Sequence, residues 1–304
     1  MKGIQKPLLN PYNRNTITKK EWSEMKKVIL GILFALNLII ISTPTYATTN
    51  QITIDGVTIA SDVKSEVKNN RTMVPLRVIS ENLGANVNWS DSQVTLTKND
   101  MKVILKFNSN KVVKNGKTEL LDVRPYVKNN RTFVPMRFIA ETFGSNVNYK
   151  NGIVTVDTKP FVIDGAIVKA LQHEYHATMG GVEQQIKGNG YNEAIYNFFV
   201  ENKGSEVEAP ANYTWMSHPS PGEYYKSGQY DFLGQEENSV ARLDIYTLVR
   251  SFDDNLSSQP QVLIHVPTEN QWYVFSEKAR QAIDQLIDRA SANGFVTVIS
   301  NTIP

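Results

Sequence analysis

The chain has 304 residues, of which 41% are hydrophobic and 20% are charged, a composition typical of a globular protein. This length is enough for one large domain or for two modest ones. Cysteine is absent, which excludes a disulfide framework, thiolate metal sites, a cysteine nucleophile and a lipid-modified N-terminal cysteine.

The N-terminal region has the pattern of an export signal. An apolar run at residues 28–41 follows Lys26 and Lys27, and small residues stand at positions 45 and 47. This order is typical of a secretory signal peptide, and we predict cleavage after Ala47. The run has 14 residues, fewer than the roughly 20 that a helix needs to span a bilayer. An uncleaved anchor is the alternative, and membrane contact is expected only through such an uncleaved segment.

Translation is predicted to start at Met25, which stands directly before the two lysines. Residues 1–24 would then be an upstream extension, or else an unusually long n-region, and nothing in them has the pattern of a folded element. An exported chain is expected to be extracellular or bound to the cell surface.

Charge divides the rest of the chain into two parts. The whole chain has a net charge of +2, but residues 1–47 carry 7 basic and 2 acidic side chains, which leaves −3 for the remainder. Residues 48–159 carry 16 basic and 10 acidic side chains, a net charge of +6. Residues 160–304 carry 9 basic and 18 acidic side chains, a net charge of −9. A domain boundary near Lys159–Pro160 is the simplest explanation.

An internal repeat is the strongest organisational signal. Residues 67–89 read VKNNRTMVPLRVISENLGANVNW, and residues 127–149 read VKNNRTFVPMRFIAETFGSNVNY. The two segments are identical at 15 of 23 positions with an offset of 60 residues, which indicates an internal duplication. Two copies with so long a period predict paired subdomains and not a solenoid.

Each copy predicts a short helix between strands. Pro75 and Pro135 suit the first turn of a helix, and Gly84 and Gly144 suit the left-handed residue that ends it. Both helices have one apolar face and a glutamate four residues after an arginine, a spacing that permits the ion pairs Arg77–Glu81 and Arg137–Glu141. Strands are predicted at 87–89, 94–97, 101–107 and 153–157, turns at 69–70 and 129–130, and a hairpin at 115–116.

The two repeated segments closely resemble the copper amine oxidase N-terminal-like domain, a stalk module of many secreted proteins of Gram-positive bacteria. The resemblance depends on the shared order Asn-Arg-Thr, Val-Pro, Arg, Glu, Gly and an aromatic residue, and it covers about residues 52–158. It implies a small antiparallel sheet wrapped on a helix, in a protein exposed in the cell envelope.

The resemblance does not imply oxidase activity, because in the oxidases this module lies away from the copper and contributes no catalytic residue. Copper amine oxidation needs a histidine-rich copper site and a tyrosine that becomes the quinone cofactor. This chain has four histidines and no His-x-His pair, and Tyr213 in Asn-Tyr-Thr is the nearest approach to the tyrosine motif. We expect neither copper amine oxidase activity nor a cofactor.

Four arginines of the repeats are candidates for contact with an anionic cell-wall polymer, through bidentate bonds to phosphate. The alternative is that they pair within each subdomain with Glu81, Glu141 and backbone carbonyls. Nucleic acid is a poor partner for an exported protein whose net charge is negative after residue 47. The four are Arg71, Arg77, Arg131 and Arg137.

The C-terminal part predicts a separate α+β domain, so the fold class of the whole chain is α+β. Residues 204–228 have the composition of a loop around a short strand at 213–216. Helices are predicted at 161–178, at 192–202 and from the N-cap Ser276 to Gly294, with strands at 241–252, 261–266, 272–275 and 295–300.

Candidate metal ligands in this part are few. His173 and His176 are three residues apart and would share one face of the predicted helix, with Glu183 as a third ligand. Zinc peptidases instead have histidines four apart with a glutamate between them, and a polar helix face explains the pattern more simply. Ser217 and His218 are adjacent in sequence, so they cannot easily face each other as nucleophile and base. We therefore predict no catalytic residue and no metal.

Carboxylates and aromatic residues are numerous in residues 160–304. A glycosidase would need two carboxylates held across a cleft, whereas a solvated acidic surface explains them more simply. Aromatic rings beside polar residues can stack on sugars or peptides, although core packing accounts for most of them. The carboxylates are Glu206, Glu208, Glu223, Asp231, Glu236, Glu237, Asp244, Asp253 and Asp254, and the aromatic residues are Tyr213, Trp215, Tyr224, Tyr225, Tyr230, Trp272 and Tyr273.

The sequence thus predicts a non-catalytic, secreted or cell-surface protein, whose stalk associates with an anionic wall polymer or another envelope protein. Residues 160–304 would form a binding domain. The alternative is a cell-envelope hydrolase with its catalytic site in that domain. In a third interpretation the basic residues 48–159 and the acidic residues 160–304 bind each other. Their net charges would then not indicate an external binding partner.

Overall fold

The computed structural model describes Lys20 and residues 51–60, 64–90, 92–150, 152–177, 179–215, 219–250 and 259–303. Residues 49–304 form one compact unit. Several sequence predictions fall outside the described residues: those on the apolar run at 28–41, Met25, Ala47, Ser217, His218, Asp253 and Asp254.

The first part of the unit consists of short strands and two helices of seven residues each. The elements, in chain order, are β1 (Gln51–Ile54), β2 (Val57–Thr58), β3 (Glu66–Lys68), β4 (Arg71–Pro75), α1 (Leu76–Asn82), β5 (Asn86–Trp89), β6 (Gln93–Lys98), β7 (Met101–Lys106), β8 (Lys111–Lys114), β9 (Lys117–Leu120), β10 (Tyr126–Lys128), β11 (Arg131–Pro135), α2 (Met136–Thr142), β12 (Asn146–Lys150) and β13 (Ile153–Asp157).

These strands form three sheets, in the orders β12-β13-β1-β2, β10-β11-β4-β3 and β5-β6-β7-β8-β9. The two similar segments meet in the second sheet, where β4 and β11 pair antiparallel with Val74 opposite Val134. The predicted strands and the hairpin at Asn115-Gly116 are confirmed. Gly84 and Gly144 adopt the expected left-handed backbone, with φ of +81° and +77°.

One detail of the repeat helices differs from the prediction. Pro75 and Pro135 are the N-cap residues and still belong to the preceding strands, with φ of −60° in both. A fixed φ and a missing N–H are compatible with the end of a strand as well as with a first helical turn. The helices therefore begin one residue later, at Leu76 and Met136.

The second part of the unit is built on a ten-stranded sheet. Its order is β17-β22-β21-β20-β19-β15-β16-β23, with β14 paired to β15 and β18 paired to β19. The elements are β14 (Val162–Ile163), β15 (Ala166–Ala177), β16 (Gly180–Ile186), α3 (Asn189–Asn202), β17 (Glu206–Val207), β18 (Tyr213–Thr214), β19 (Tyr224–Gly234), β20 (Ser239–Leu248), β21 (Val262–Val266), β22 (Gln271–Phe275), α4 (Glu277–Ala292) and β23 (Val296–Asn301).

The helix predicted at residues 161–178 is wrong, since this stretch forms β14 and the 12-residue strand β15. The apolar residues of the stretch satisfy a helical period, but β15 is paired to β16 from Leu171 to Ala177 and to β19 from Val168 to Glu174. Such pairing satisfies the backbone and outweighs local propensity. The loop predicted at 204–228 is also wrong at its end, because β19 begins at Tyr224.

The remaining helix predictions are confirmed. Helix α4 begins after Ser276, whose Oγ accepts a hydrogen bond from the Ala279 backbone N–H at 3.0 Å. Helix α3 begins three residues earlier than predicted, at Asn189, and buries Ile195 and Phe199. Both helices contribute to the core beneath the sheet, and Phe199 packs edge-on against Tyr230 of β19. The α+β class is thereby confirmed.

One continuous core crosses the position predicted as a domain boundary, which lies between β13 and β14. Tyr191 of α3 is 1% exposed, donates a hydrogen bond to Asn82 Oδ1 at 2.7 Å and packs against Phe295. The Asp55 carboxylate accepts hydrogen bonds from the backbone N–H of Thr158 at 2.9 Å and of Asn189 at 3.0 Å. The carboxylate thus lies at the N-terminus of α3, where the helix dipole favours negative charge.

Ion pairs also join the two parts, in both polarities. Lys98 pairs with Glu193 at 2.9 Å, whereas Glu81 pairs with Arg289 at 3.6 Å. Each part therefore supplies one cation and one anion to these two pairs. They do not account for the difference between a net charge of +6 and a net charge of −9.

Candidate functional site

Two of the four candidate arginines line one cleft. Arg77 follows β4 in helix α1, and Arg131 begins β11, so the antiparallel pairing of β4 with β11 brings the two segments together. The cleft has a volume of about 270 Å³ and lies beside Trp89 of β5. The Arg77 guanidinium lies over the Trp89 ring, 5.5 Å from its centroid. We call this the arginine cleft; its lining is Pro75, Leu76, Arg77, Val78, Trp89, Asn130, Arg131 and Thr132.

The other two arginines also contact neighbouring side chains. Arg137 lies over the Tyr149 ring at 5.2 Å, as Arg77 lies over Trp89. Arg71 donates two hydrogen bonds to the same Asp122 oxygen, Oδ2, from Nε at 3.0 Å and from Nη2 at 2.6 Å. Arg71 therefore carries an acidic partner from outside the repeat helices.

The predicted ion pairs within each helix are confirmed. Arg77 is 4.0 Å from Glu81, and Arg137 is 3.7 Å from Glu141. The side chains of Arg71, Arg77 and Arg137 are 45–56% exposed. Exposed pairs of this kind contribute only about 0.2–1 kcal/mol. Such pairing orients the guanidinium groups but leaves them open to competition from a polyanion.

The candidate metal ligands do not share a face. His173 and His176 lie on strand β15, where positions three apart point to opposite sides, and Glu183 lies on β16. The helical geometry assumed for this metal hypothesis is therefore wrong. Among the described residues, no group of three or more His, Cys, Asp or Glu side chains could hold a metal ion.

His173 belongs to the core side of the sheet. It is 6% exposed, stacks on Tyr230 with ring centroids 4.5 Å apart, and lies 3.1 Å from Gln184 through Nδ1. Burial lowers the pKa of this imidazole to about 4. His173 is therefore a neutral histidine packed into the core.

The opposite side of the ten-stranded sheet is polar over much of its area. Residues directly opposite each other on paired strands share a face, so the strand register defines rows across the sheet. One row contains Glu183, Glu174, Gln229, Asp244, His265 and Trp272. The adjacent row contains Gln185, Gln172, Asp231 and Arg242. We call this surface the polar face.

A buried charge cluster lies at the centre of the polar face. Asp244 is 2% exposed, and its carboxylate accepts hydrogen bonds from Lys226 Nζ at 3.2 Å and from Arg242 Nε at 3.0 Å. Lys226 also donates to Gln229 Oε1 at 3.0 Å. Burial lowers the pKa of the Lys226 ammonium, and Asp244 acts in the opposite direction. Two cations of the protein therefore share the single Asp244 carboxylate.

Aromatic residues cover part of the polar face. Trp215 lies over Lys226 Nζ at 4.1 Å and contacts the His176 ring edge-on at 4.3 Å. Tyr213 packs against Tyr246 and Trp272, with ring centroids 5.6 and 5.0 Å away. Tyr213 is 52% exposed and Trp215 is 37% exposed, so both rings also face solvent.

The fold and these two surfaces define an α+β protein with an arginine-lined cleft and a polar, aromatic sheet face. Residues 53–167 match the model of the copper amine oxidase N-terminal domain family, which confirms the resemblance carried by the repeated motifs. The match extends beyond β13 to the beginning of β15. No curated protein and no solved structure shows significant similarity to the chain.

The polar face could not be assembled from the sequence alone. Residue type made Trp215, Asp231 and Asp244 candidates, whereas Lys226 and Arg242 had no such signal. Alternation of polar and apolar residues in 229–232 is a signal for β19, although it is short and follows Gly228 and a proline-rich stretch. No helix among the residues that the structure describes has the length and hydrophobicity of a membrane span.

Proposed function

We propose that the protein is a secreted or cell-surface, non-catalytic binding protein, in which the 53–167 domain attaches to an anionic polymer of the cell envelope. The arginine cleft is the observation that carries this proposal. It combines Arg77 and Arg131 from different repeats with the Trp89 ring. Export would depend on the apolar run at 28–41.

The chemistry of the cleft supports a phosphate-bearing polymer. A guanidinium group presents a planar fork of donors that matches phosphate oxygens, and two such groups in one cleft can bind successive or shared oxygens. The net charge of +6 on residues 48–159 adds a long-range attraction that raises the local concentration of a polyanion. An aromatic ring beneath Arg77 holds that guanidinium in place.

Replacing both cleft arginines is expected to weaken attachment to cell walls. The double variant Arg77→Gln, Arg131→Gln of residues 49–304 should bind purified wall sacculi about tenfold more weakly, because two charge-assisted contacts are lost. Co-sedimentation over a range of sacculus concentrations measures this affinity.

The matched control removes the same charge elsewhere. Lys114→Gln, Lys117→Gln changes two lysines of the β8–β9 hairpin, which belongs to a different sheet from β4 and β11. This control should pellet almost like the unaltered protein. Equal weakening in both double variants would show that net charge, and not the arginine cleft, determines binding.

A hydrolase remains the second candidate, because Asp231 and Asp244 lie in adjacent rows of the polar face. Burial raises the pKa of the Asp231 carboxyl, a property that a general acid needs. Asp244, however, is held by both Lys226 and Arg242 and has little access to solvent. Release of reducing ends or muropeptides from sacculi, abolished by Asp231→Asn, would favour the hydrolase.

A further inference from the structure

The polar face has the composition of a saccharide platform. Two exposed aromatic rings, Tyr213 and Trp215, are two residues apart in sequence, and Tyr213 lies opposite Tyr224 of the parallel neighbour β19. Their packing partners, Tyr246, Trp272, Lys226 and His176, identify the polar face as the side of the sheet that both rings cover. Rings presented in this way stack on the apolar faces of sugar rings.

The two rings are already fixed in position. Tyr213 is supported by Tyr246 and Trp272, and Trp215 is held between Lys226 and His176. His176 Nε2 is in turn 3.0 Å from Glu174 Oε1. A ligand that stacks on them would therefore not have to immobilise free side chains, which lowers the entropic cost of binding.

Amide and carboxyl groups lie on the same face of the sheet as the rings, at the spacing of paired strands. Gln172 donates to Glu183 Oε1 at 2.7 Å, and Gln229 and Asp231 occupy the central strand β19. All of these side chains are half-buried, so each keeps some contact with solvent. Neighbouring amides and carboxylates can donate to and accept from the hydroxyl pairs of a sugar.

The charge of the polar face determines which saccharides it can bind. The two rows and Lys226 contribute two cations and four carboxylates, those of Glu174, Glu183, Asp231 and Asp244. A surface with this balance repels a polyanion, and both cations are already bound to Asp244. The polar face therefore suits an uncharged glycan, in contrast to the arginine cleft.

We propose that the polar face binds a neutral oligosaccharide, with Trp215 and Tyr213 as the stacking platform. This inference rests on the proposed role of residues 160–304 as a binding region and is independent of the arginine cleft. The ligand is a chain of uncharged pyranose units, such as a stretch of N-acetylated or unsubstituted glucan.

Titration of residues 49–304 with neutral oligosaccharides tests the proposal. N-acetylglucosamine oligomers and cello-oligosaccharides of increasing length, each up to about 10 mM, form two arms that distinguish the sources of the sugar. Isothermal calorimetry should detect binding in at least one arm, with an affinity that rises with chain length. Trp215→Ala should weaken it about tenfold, and Tyr213→Ala should weaken it several-fold.

The control removes a ring of similar exposure from the other part of the molecule. Tyr149 is 40% exposed, and Tyr149→Ala should leave oligosaccharide binding unchanged. If Trp215→Ala does not fold, Tyr213→Ala and Trp215→Phe provide the comparison. Tyr213→Ala leaves Trp215 next to Lys226, and Trp215→Phe keeps an aromatic ring at that position.

Several results would overturn the proposal. These are no binding in either arm, binding that neither Trp215→Ala nor Tyr213→Ala weakens, and preferential binding of a wall peptide or of teichoic acid at the same residues. Sacculus binding through the arginine cleft is measured separately. If the unaltered protein binds the oligosaccharides but not the sacculi, only the attachment proposal is refuted. If it binds the sacculi but not the oligosaccharides, only this inference is refuted.

Discussion

Gly84→Ala is expected to lower the free energy of unfolding by roughly 3 kcal/mol, because two costs combine at this position. Gly84 has φ of +81°, a conformation that alanine adopts only with strain. A Cβ there would also lie 2.7 Å from the Gly190 carbonyl oxygen, a backbone atom that cannot rotate away. Chemical denaturation of residues 49–304 measures the change.

Gly116 provides a matched control for the strain alone. It has the same φ of +81°, but an added Cβ would meet nothing within 4 Å. Gly116→Ala should therefore cost roughly 1 kcal/mol. The difference between the two variants reports the close approach of Gly84 to α3, and equal losses would contradict the shared core.

Gly190→Ala tests the same contact from the other side. Gly190 lies in the first turn of α3, where alanine would ordinarily favour the helix. An added Cβ would lie 2.8 Å from the Gly84 backbone nitrogen. Destabilisation by this substitution would show that the parts before and after Lys159–Pro160 unfold as one unit.

Acidification is expected to destabilise the protein through His173. Burial lowers the pKa of His173 to about 4, whereas an unfolded histidine has a pKa near 6.5. The unfolded chain therefore takes up a proton as the pH falls below about 6.5, and the folded chain does not until about pH 4. Stability is fully present above this window and falls within it by roughly 3 kcal/mol.

His173→Phe should remove this part of the pH dependence. Phenylalanine keeps a ring against Tyr230 but cannot titrate, although it leaves Gln184 Nε2 without the ring nitrogen. The variant's free energy of unfolding, measured at pH 7 and at pH 4, should change by roughly 3 kcal/mol less than that of the unaltered protein.

Phe199→Leu is the control, since it also removes a core ring that contacts Tyr230 but keeps His173. Its loss of stability between pH 7 and pH 4 should match that of the unaltered protein. If His173→Phe and the unaltered protein showed the same pH dependence, His173 would not be the neutral core residue described above.

Local patterns predicted the elements that depend on neighbouring residues. Helix α4 has a side-chain cap at Ser276 and a regular apolar face, and the Asn115-Gly116 turn has the backbone that its two residues favour. These signals lie within a few residues of the structure they specify, so no partner has to be known.

Strand β15 shows what such patterns cannot specify. Its residues Ala170, Leu171 and Tyr175 fit a helical period as well as they fit a buried strand. Its length and two-sided pairing depend on β16 and on β19, whose paired residues lie up to 66 positions further along the chain. The helix face that the metal hypothesis assumed for His173 and His176 does not exist, because the strand places the two residues on opposite faces.

Both candidate surfaces also depend on long-range register. Arg77 and Arg131 meet through the pairing of β4 with β11, and Lys226 meets Asp244 through the pairing of β19 with β20. Residue type indicated that the arginines were candidates, but their distances and partners follow only from the folded sheets. Lys226 and Arg242 had no distinguishing local signal.

Co-sedimentation of residues 49–304 with wall sacculi, with and without their teichoic acid, tests the attachment proposal most directly. A salt series should weaken binding, because the screening length falls from about 10 Å at 0.1 M to about 3 Å at 1 M. The proposal predicts salt-sensitive pelleting that is strongly reduced when teichoic acid is removed. Absence of pelleting, or pelleting that neither salt nor removal of the polymer reduces, would contradict it.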